Sequence, residues 1–324
     1  MTRTYVLDIN TELQQEPIRK GFGRGLLEAG KRDEHVVACC ADLTDSTQIS
    51  LFRAEFPERF VEIGVAEQNL VTVGAGLAAM GKIPFVSSYA AFSPGRNWEQ
   101  IRTTICLNDR PVKVVGSHAG VSVGPDGATH QMLEDIALMR VLPNMVVIVP
   151  CDSVEAEKAT LAMAKDPRPN YLRLAREASP VITTPDTPFE IGKAYVFAKG
   201  QDVTIIACGT MTHQALVAAD ILFKQGIDAE VIHVPTIKPL DRETILKSVR
   251  KTGCVVTAEE GQMDGGLGGA IAELLADECP APMVRIGMKD RFGESGEPAE
   301  LLTFFGLDAT HIQLAAHHVV DRKQ

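Results

Sequence analysis

Short apolar runs alternate along the chain with longer stretches of helical period. His35–Leu43, Pro84–Ser88, Val112–Val115, Met145–Val149 and Tyr171–Leu174 are mostly apolar and bounded by turn residues. That is the pattern of strands buried on both faces. Between them Ile18–Gly30, Asn97–Asn108, Gln131–Leu142 and Ser153–Lys165 read as helices, the first ended by its glycine. Up to Pro17 the chain is a polar lead-in. TTPDTPF at Thr183–Phe189 is a proline-rich linker. A second alternating set follows, with strands Val203–Cys208, Ala229–His233, Cys254–Ala258 and Met283–Ile286. Its helices are Thr212–Gln225, Arg242–Lys251, Leu267–Asp277 and Pro298–Phe305. The pattern predicts an α/β protein of two domains, residues 1–185 and 190–324, each a mostly parallel sheet flanked by helices. A length of 324 residues agrees, since one core rarely grows past about 250–300.

One stretch breaks the pattern. Phe60–Gly81 opens with a strand, Phe60–Ile63, turns at Gly64, and enters a helix of small residues. Ala66, Leu70, Val73, Gly74, Leu77 and Ala78 form its face, with little charge on any side, so it reads as buried. Glu67 stands in its first turn. An acid there ordinarily complements the helix dipole. In a buried, close-packed helix it is also a candidate for chemistry.

Composition narrows the classes. Hydrophobic content of 45% and charge of 23% suit a globular protein. A net charge of -10 with no basic stripe argues against nucleic acid. No run is long enough for a signal peptide or a membrane span. Seven cysteines without CxxC spacing read as buried free thiols, hence a reducing cytoplasm. No histidine pair has metal-ligand spacing, and His317–His318 read as solvated.

In a parallel sheet, ligands sit beyond the carboxyl ends of the strands. Those ends deliver Asp42, Thr44 and Ser46; Glu67; Ser88, Tyr89 and Phe92; His118 and a glycine-rich loop with Asp126, His130 and Gln131; and Arg173 with Arg176. Each alone is weak. A loop histidine is usually solvent-facing, an aromatic usually core, an arginine usually surface charge. Their arrival at one edge gives them weight.

The stretches IGVAEQN, PFVSSYAAF, GSHAGVSVGPDGATHQMLEDIALMR and YLRLAREA resemble the C-terminal half of transketolase, from about Pro17 to the end. The resemblance implies a pyrimidine-binding domain and a C-terminal domain, with thiamine diphosphate as cofactor. Glu67 matches the glutamate that hydrogen-bonds a ring nitrogen of the aminopyrimidine. Sharing a proton there favours the ring's imino tautomer, whose imino group would take the proton from the thiazolium carbon, a step an amide could not support. Phe92 matches the aromatic that stacks on the pyrimidine and Tyr89 a second ring. Gly95 stands where some members carry another aromatic. His118 and His130 match histidines that contact the sugar, and Asp126 an aspartate that reads a substrate hydroxyl. Arg19, Ser46 and Arg176 match the set that grips the terminal phosphate, a task suited to the arginine fork. Asp42 matches a residue that approaches the cofactor across the dimer interface.

The family's metal–diphosphate motif, glycine-aspartate-glycine with a downstream asparagine, has no counterpart here. The resemblance therefore implies one subunit of a split transketolase. A partner chain would supply the diphosphate-binding domain and the Mg²⁺ ligands, in a two-plus-two heterotetramer. Rival readings within the class are deoxyxylulose phosphate synthase and the pyruvate dehydrogenase beta type. Outside it stand a non-catalytic assembly subunit and a dinucleotide-binding dehydrogenase, the last resting on Gly265–Gly269 and Asp290.

Overall fold

Wholly apolar runs become central strands because they have no face to offer water. Val36–Cys40 and Val203–Ala207 are buried at nearly every position. The computed structural model describes residues 2–323. In the first half it comprises β1 (Gln15–Pro17), α1 (Ile18–Arg32), β2 (Val36–Cys40), α2 (Ser50–Glu55), β3 (Phe60–Glu62), α3 (Glu67–Ala79) and β4 (Ile83–Tyr89). There follow α4 (Trp98–Gln100) with a π-helical extension (Ile101–Cys106), β5 (Lys113–Ser117), α5 (Asp135–Arg140), β6 (Val146–Ile148), α6 (Ser153–Lys165), β7 (Asn170–Arg173) and β8 (Ala178–Pro180). The second half comprises β9 (Tyr195–Ala198), β10 (Val203–Ala207), α7 (Met211–Lys224), β11 (Ala229–His233), β12 (Thr236–Lys238) and α8 (Arg242–Thr252). It ends with β13 (Val255–Gln262), α9 (Leu267–Glu278), β14 (Met283–Met288), α10 (Pro298–Phe304) and α11 (Ala309–Asp321).

Two mostly parallel sheets result, as the alternation predicts. One has the order β12-β6-β7-β5-β4-β2-β3, the other β14-β13-β10-β11-β9. The exceptions are antiparallel edges: β12 on β6, and β9 on β11. Because β12 belongs by sequence to the second half, it stitches the halves together. The lead-in crosses the other way: Thr4 N–H donates to the Phe197 carbonyl at 3.0 Å and Leu7 N–H to that of Ile182 at 2.8 Å. One apolar cluster runs from Val86 and Tyr171 of the first sheet to Ile206, Ile232 and Leu274 of the second half.

The differences from the sequence pattern have local causes. α1 does not stop at Gly30 but continues to Arg32. A Cβ at Gly30 would lie 2.5 Å from the Phe52 ring, so this glycine serves packing. The helix expected over Gln131–Leu142 starts only at Asp135, because the Gln131 side chain turns back to donate to the Val121 and Gly124 carbonyls. Six elements carry no sequence expectation: β9 and β12 are short edges, β1 and β8 pair as a small antiparallel sheet of their own, α2 is six residues long, and α11 lies in a tail whose histidines mask an apolar stripe of Ile312, Ala315, Ala316 and Val319. Six cysteines are buried and free; Cys279 is half-buried. No helix among the described residues is long and apolar enough to cross a membrane.

Candidate active site

The tips of β2 and β3 are tied by one carboxylate. Glu62 accepts the N–H of Asp42 at 2.8 Å, that of Gly64 at 2.9 Å and the Thr44 hydroxyl at 3.1 Å. Gly64, at φ +76°, then turns the chain into α3. Glu67 is the first residue of that helix and 2% exposed. It does not act as a cap: no side chain caps α3. Its Oε2 instead accepts from Arg96 Nη1 at 2.7 Å, and its carbonyl from the Asn97 amide at 2.8 Å. α3 itself is buried on one face only, through Leu70, Val71, Gly74, Ala75 and Ala78. Val73 and Leu77 are half-buried, and Gln68, Asn69, Gly76 and Met80 are exposed, contrary to the all-round burial expected from its composition. The helix lies against β4, where a Cβ on Gly74 would come 2.6 Å from Val86, and its far side is exposed among the described residues.

Four of the expected residues form one cluster of rings. Tyr89, at the end of β4, stacks on His118 with centroids 3.8 Å apart. Tyr89 and Phe92 lie nearly parallel at 6.2 Å, and His130 meets Phe92 edge-on at 5.4 Å. The Arg96 guanidinium lies 5.2 Å from the Phe92 ring centre while it holds Glu67. A planar cation thus spans a buried acid and an aromatic face. That is the chemistry a flat N-heterocycle would use, so the residues present fit an aminopyrimidine. At Gly95 no further ring could stand, because a Cβ there would meet the Ala91 carbonyl at 2.0 Å.

His118 ends β5 in the left-handed region, at φ +58°. Such a backbone in a non-glycine residue costs of order 1–3 kcal/mol and concentrates at functional sites. Ser117 Oγ lies 2.9 Å from its Nδ1. Burial, then the charges of Arg19, Arg176 and His130, pull its pKa down to about 3, so the ring is neutral at neutral pH.

The same two arginines mark the anion end. Arg19 Nη1 donates to the Ser46 carbonyl at 2.9 Å, and its buried Nε has no partner. Burial and the neighbouring Arg176 both lower its pKa. Arg176 Nη1 donates to the Val123 carbonyl at 2.6 Å. Arg176 Nε also lies 3.5 Å from Glu177 Oε1, so one carboxylate stands against two guanidiniums beside neutral His118, an arrangement whose surplus positive charge suits an anion. Asp126 and Asp42 stand apart. Both are exposed, and among the described residues neither carboxylate bonds the cluster, although the Thr129 hydroxyl lies 3.5 Å from the Asp126 carbonyl and 2.9 Å from His130 Nδ1. Asp42, like His118, is left-handed, at φ +57°.

Arg173 corrects the strand-end reading, which placed it on the rim. It is 5% exposed and bonds Asp135 at 2.9 Å; Tyr171 donates to the same carboxylate at 2.7 Å. Its strand end is covered by the second domain. The dinucleotide reading fails for a similar reason. Glu259 accepts the N–H groups of Leu267 and Gly268, both at 2.7 Å, filling the helix start a phosphate would need. Sequence reasoning passed over Arg96 and Glu62. The only signal for Arg96 is its place in GRNW, just beyond Phe92.

Known proteins resemble this chain along both of its halves. Residues 15–181 match the family described as transketolase, pyrimidine binding domain, and residues 192–312 match transketolase, C-terminal domain. A transketolase C-terminal section of Methanocaldococcus jannaschii is 46% identical over 298 residues, covering 91% of this chain and 93% of its own. A 6-deoxy-6-sulfo-D-fructose transketolase subunit of Clostridium sp. is 42% identical over 312 residues, covering 96% and 97%. A solved chain described as a split gene transketolase, inactive beta4 tetramer, superposes with a TM-score of 0.90 at 45% identity, covering 95% of this chain and 99% of its own. The chain belongs to the transketolase family, of which it carries the pyrimidine-binding and C-terminal domains.

Proposed function

We propose that this chain is the C-terminal subunit of a split transketolase. It transfers a two-carbon ketol unit from a ketose phosphate to an aldose phosphate, together with a partner chain that carries the diphosphate-binding domain. The observation that carries the reading is the bridge from buried Glu67 through Arg96 to Phe92. Thiamine diphosphate, when bound, supplies the nucleophilic carbon and the electron sink. Glu67 holds a proton at the ring nitrogen. Phe92 and Tyr89 hold the flat face and exclude water. His118 and His130 donate to or accept from the sugar oxygens, and Asp126 reads a hydroxyl. Arg19, Arg176 and Ser46 hold the anionic end, the Ser46 carbonyl orienting the Arg19 guanidinium, and Asp42 reaches toward the cofactor from a second copy. The Mg²⁺ ligands belong to the partner. The relatives that match this chain end to end, among them a C-terminal section and a split-gene subunit, support the division of labour. Two copies of each chain give the closed symmetric assembly expected when sites lie at interfaces.

The anion end admits a second substrate. Two guanidiniums bind a sulfonate as readily as a phosphate, and one relative is a sulfofructose transketolase subunit. The test is turnover by the purified chain alone and with its partner. Ketose phosphate, sulfonated ketose and pyruvate would be offered as donors. Activity of the lone chain refutes the split arrangement, and pyruvate preference refutes the ketol-transfer reading.

A further inference from the structure

The loop after β5 is rich in glycine, and its glycines face the second domain rather than a ligand. A Cβ on Gly120 would lie 2.2 Å from Glu260 Oε1, one on Gly127 2.5 Å from the Ser295 hydroxyl, and one on Gly124 3.0 Å from Pro298. From the opposite side, Gly293 makes room for the Gln131 side chain, which donates to the Glu294 carbonyl at 2.9 Å. The second domain therefore closes on the back of the loop that carries His118 and His130 at its two ends.

Glu260 is the charged group at the centre of that contact. It lies on β13 and is 3% exposed. Its Oε1 accepts Ser122 N–H at 2.8 Å, and its Oε2 the Thr210 hydroxyl at 3.0 Å. Its own carbonyl accepts Arg173 Nη2 at 2.6 Å. No salt bridge engages its carboxylate among the described residues. Its carboxylate is hydrogen-bonded by two neutral donors only, and buried Arg173, whose own ion pair is with Asp135, offsets its charge from a distance. What a carboxylate adds is a rigid two-pronged acceptor. We propose that Glu260 is a positioning residue for ketol transfer: it fixes the Gly120–Ser122 turn and, through it, the left-handed backbone that aims His118 at the sugar. The second domain thus sets the geometry of the rim as well as supporting assembly. This rests on the reading that His118 meets the substrate.

The test uses the full chain with its partner subunit. Glu260→Ala should lower kcat/KM for the sugar by about 10–100-fold, mostly through KM, as expected for a misplacement of about 1 Å. Affinity for thiamine diphosphate should hold within about twofold, because Glu67 is held from a different strand. Glu260→Gln should recover activity to within about threefold, its carbonyl accepting from Ser122 and its amide donating to the Thr210 oxygen. Should the alanine variant fold poorly, Thr210→Val frees one prong and should raise KM in the same direction by about twofold to fivefold. Amide exchange across 118–124 should quicken in Glu260→Ala while α7 and α9 stay protected. Unchanged loop exchange, or a glutamine variant as damaged as the alanine, overturns the proposal. His118→Ala separates the two readings. If it loses turnover and Glu260→Ala does not, the positioning role alone is overturned. If neither loses turnover, the site assignment beneath it falls.

Discussion

The two sheets are built alike and use their carboxyl ends in opposite ways. In the first, the strand ends carry groups whose partners are incomplete. Glu67 is met only by half-exposed Arg96, Arg19 Nε is unpaired, and His118 stands neutral between two arginines. In the second, the strand ends are turned against the first domain and largely paired, although Glu155 Oε1 is buried without a partner. Glu155 takes His233 Nε2 at 2.7 Å and the Cys151 N–H at 2.7 Å, while the Thr212 hydroxyl meets His233 Nδ1 at 2.8 Å. Cys151, Glu155 and His233 place ligand-type atoms within 4.8 Å of one another. Their hydrogen bonds already engage both ring nitrogens, so the trio reads as a domain fastener. A parallel sheet gathers polar groups at one edge in either case. The edge that keeps surplus charge open to a ligand is the one proposed as the site.

Substitution should separate the two edges cleanly. Glu67→Gln keeps the shape and an acceptor for Arg96 but removes the exchangeable proton. Turnover of the reconstituted complex should fall by at least about 100-fold, the scale of general acid–base catalysis. Thermal unfolding should move by less than about 1 kcal/mol, since the arginine partner is half solvated. Near-normal turnover would remove Glu67 from the chemistry. His233→Ala should do the reverse. It leaves the Glu155 carboxylate buried without its main partner, at a cost of about 3–5 kcal/mol. Calorimetry would read that cost, and activity per folded molecule should persist. A loss of activity without a loss of stability would mean that the second edge is a site as well.

The pattern of apolar runs was enough for the two sheets and their order along the chain, because buried parallel strands and their covering helices leave a strong periodic signal. Short edges such as Thr236–Lys238 leave none, since Ile237 is the one apolar residue of that strand and makes no run. The site was legible as types at strand ends: Tyr89, Phe92, His118 and His130 do converge. Arg173 was misplaced because a strand end covered by another domain looks, in sequence, like one open to solvent. Arg96 went unread because its role depends on a turn that brings it back over Phe92. Left-handed His118 has no sequence mark of its own.

The neutral state of His118 predicts a pH signature at the open edge. Its folded pKa, about 3, lies below the unfolded value, which is about 6.5. Above the unfolded value both states are neutral and stability is complete. As pH falls toward the folded value, the unfolded chain takes up a proton that the folded chain refuses. Stability then declines by up to about 1.4 kcal/mol per pH unit from this group. Denaturant titrations of wild type and His118→Asn should diverge across that window, with asparagine tolerating the same left-handed backbone. Parallel curves would show that the imidazole is not held neutral.

The smallest expected effect concerns Arg96. Its bond to Glu67 and its position over Phe92 occupy the surfaces proposed for the pyrimidine. Cofactor entry must displace that pair or share it. A half-exposed ion pair is worth about 0–1 kcal/mol, so removing it should shift affinity by no more than about fivefold. Arg96→Ala in the reconstituted complex should bind thiamine diphosphate about twofold to fivefold more tightly by calorimetric titration, the competing cation being gone. Weaker binding would reverse the inference. Arg96 would then cooperate with the ring at Glu67, and the open edge would be more complete, and closer to the second sheet's, than its unpaired groups suggest.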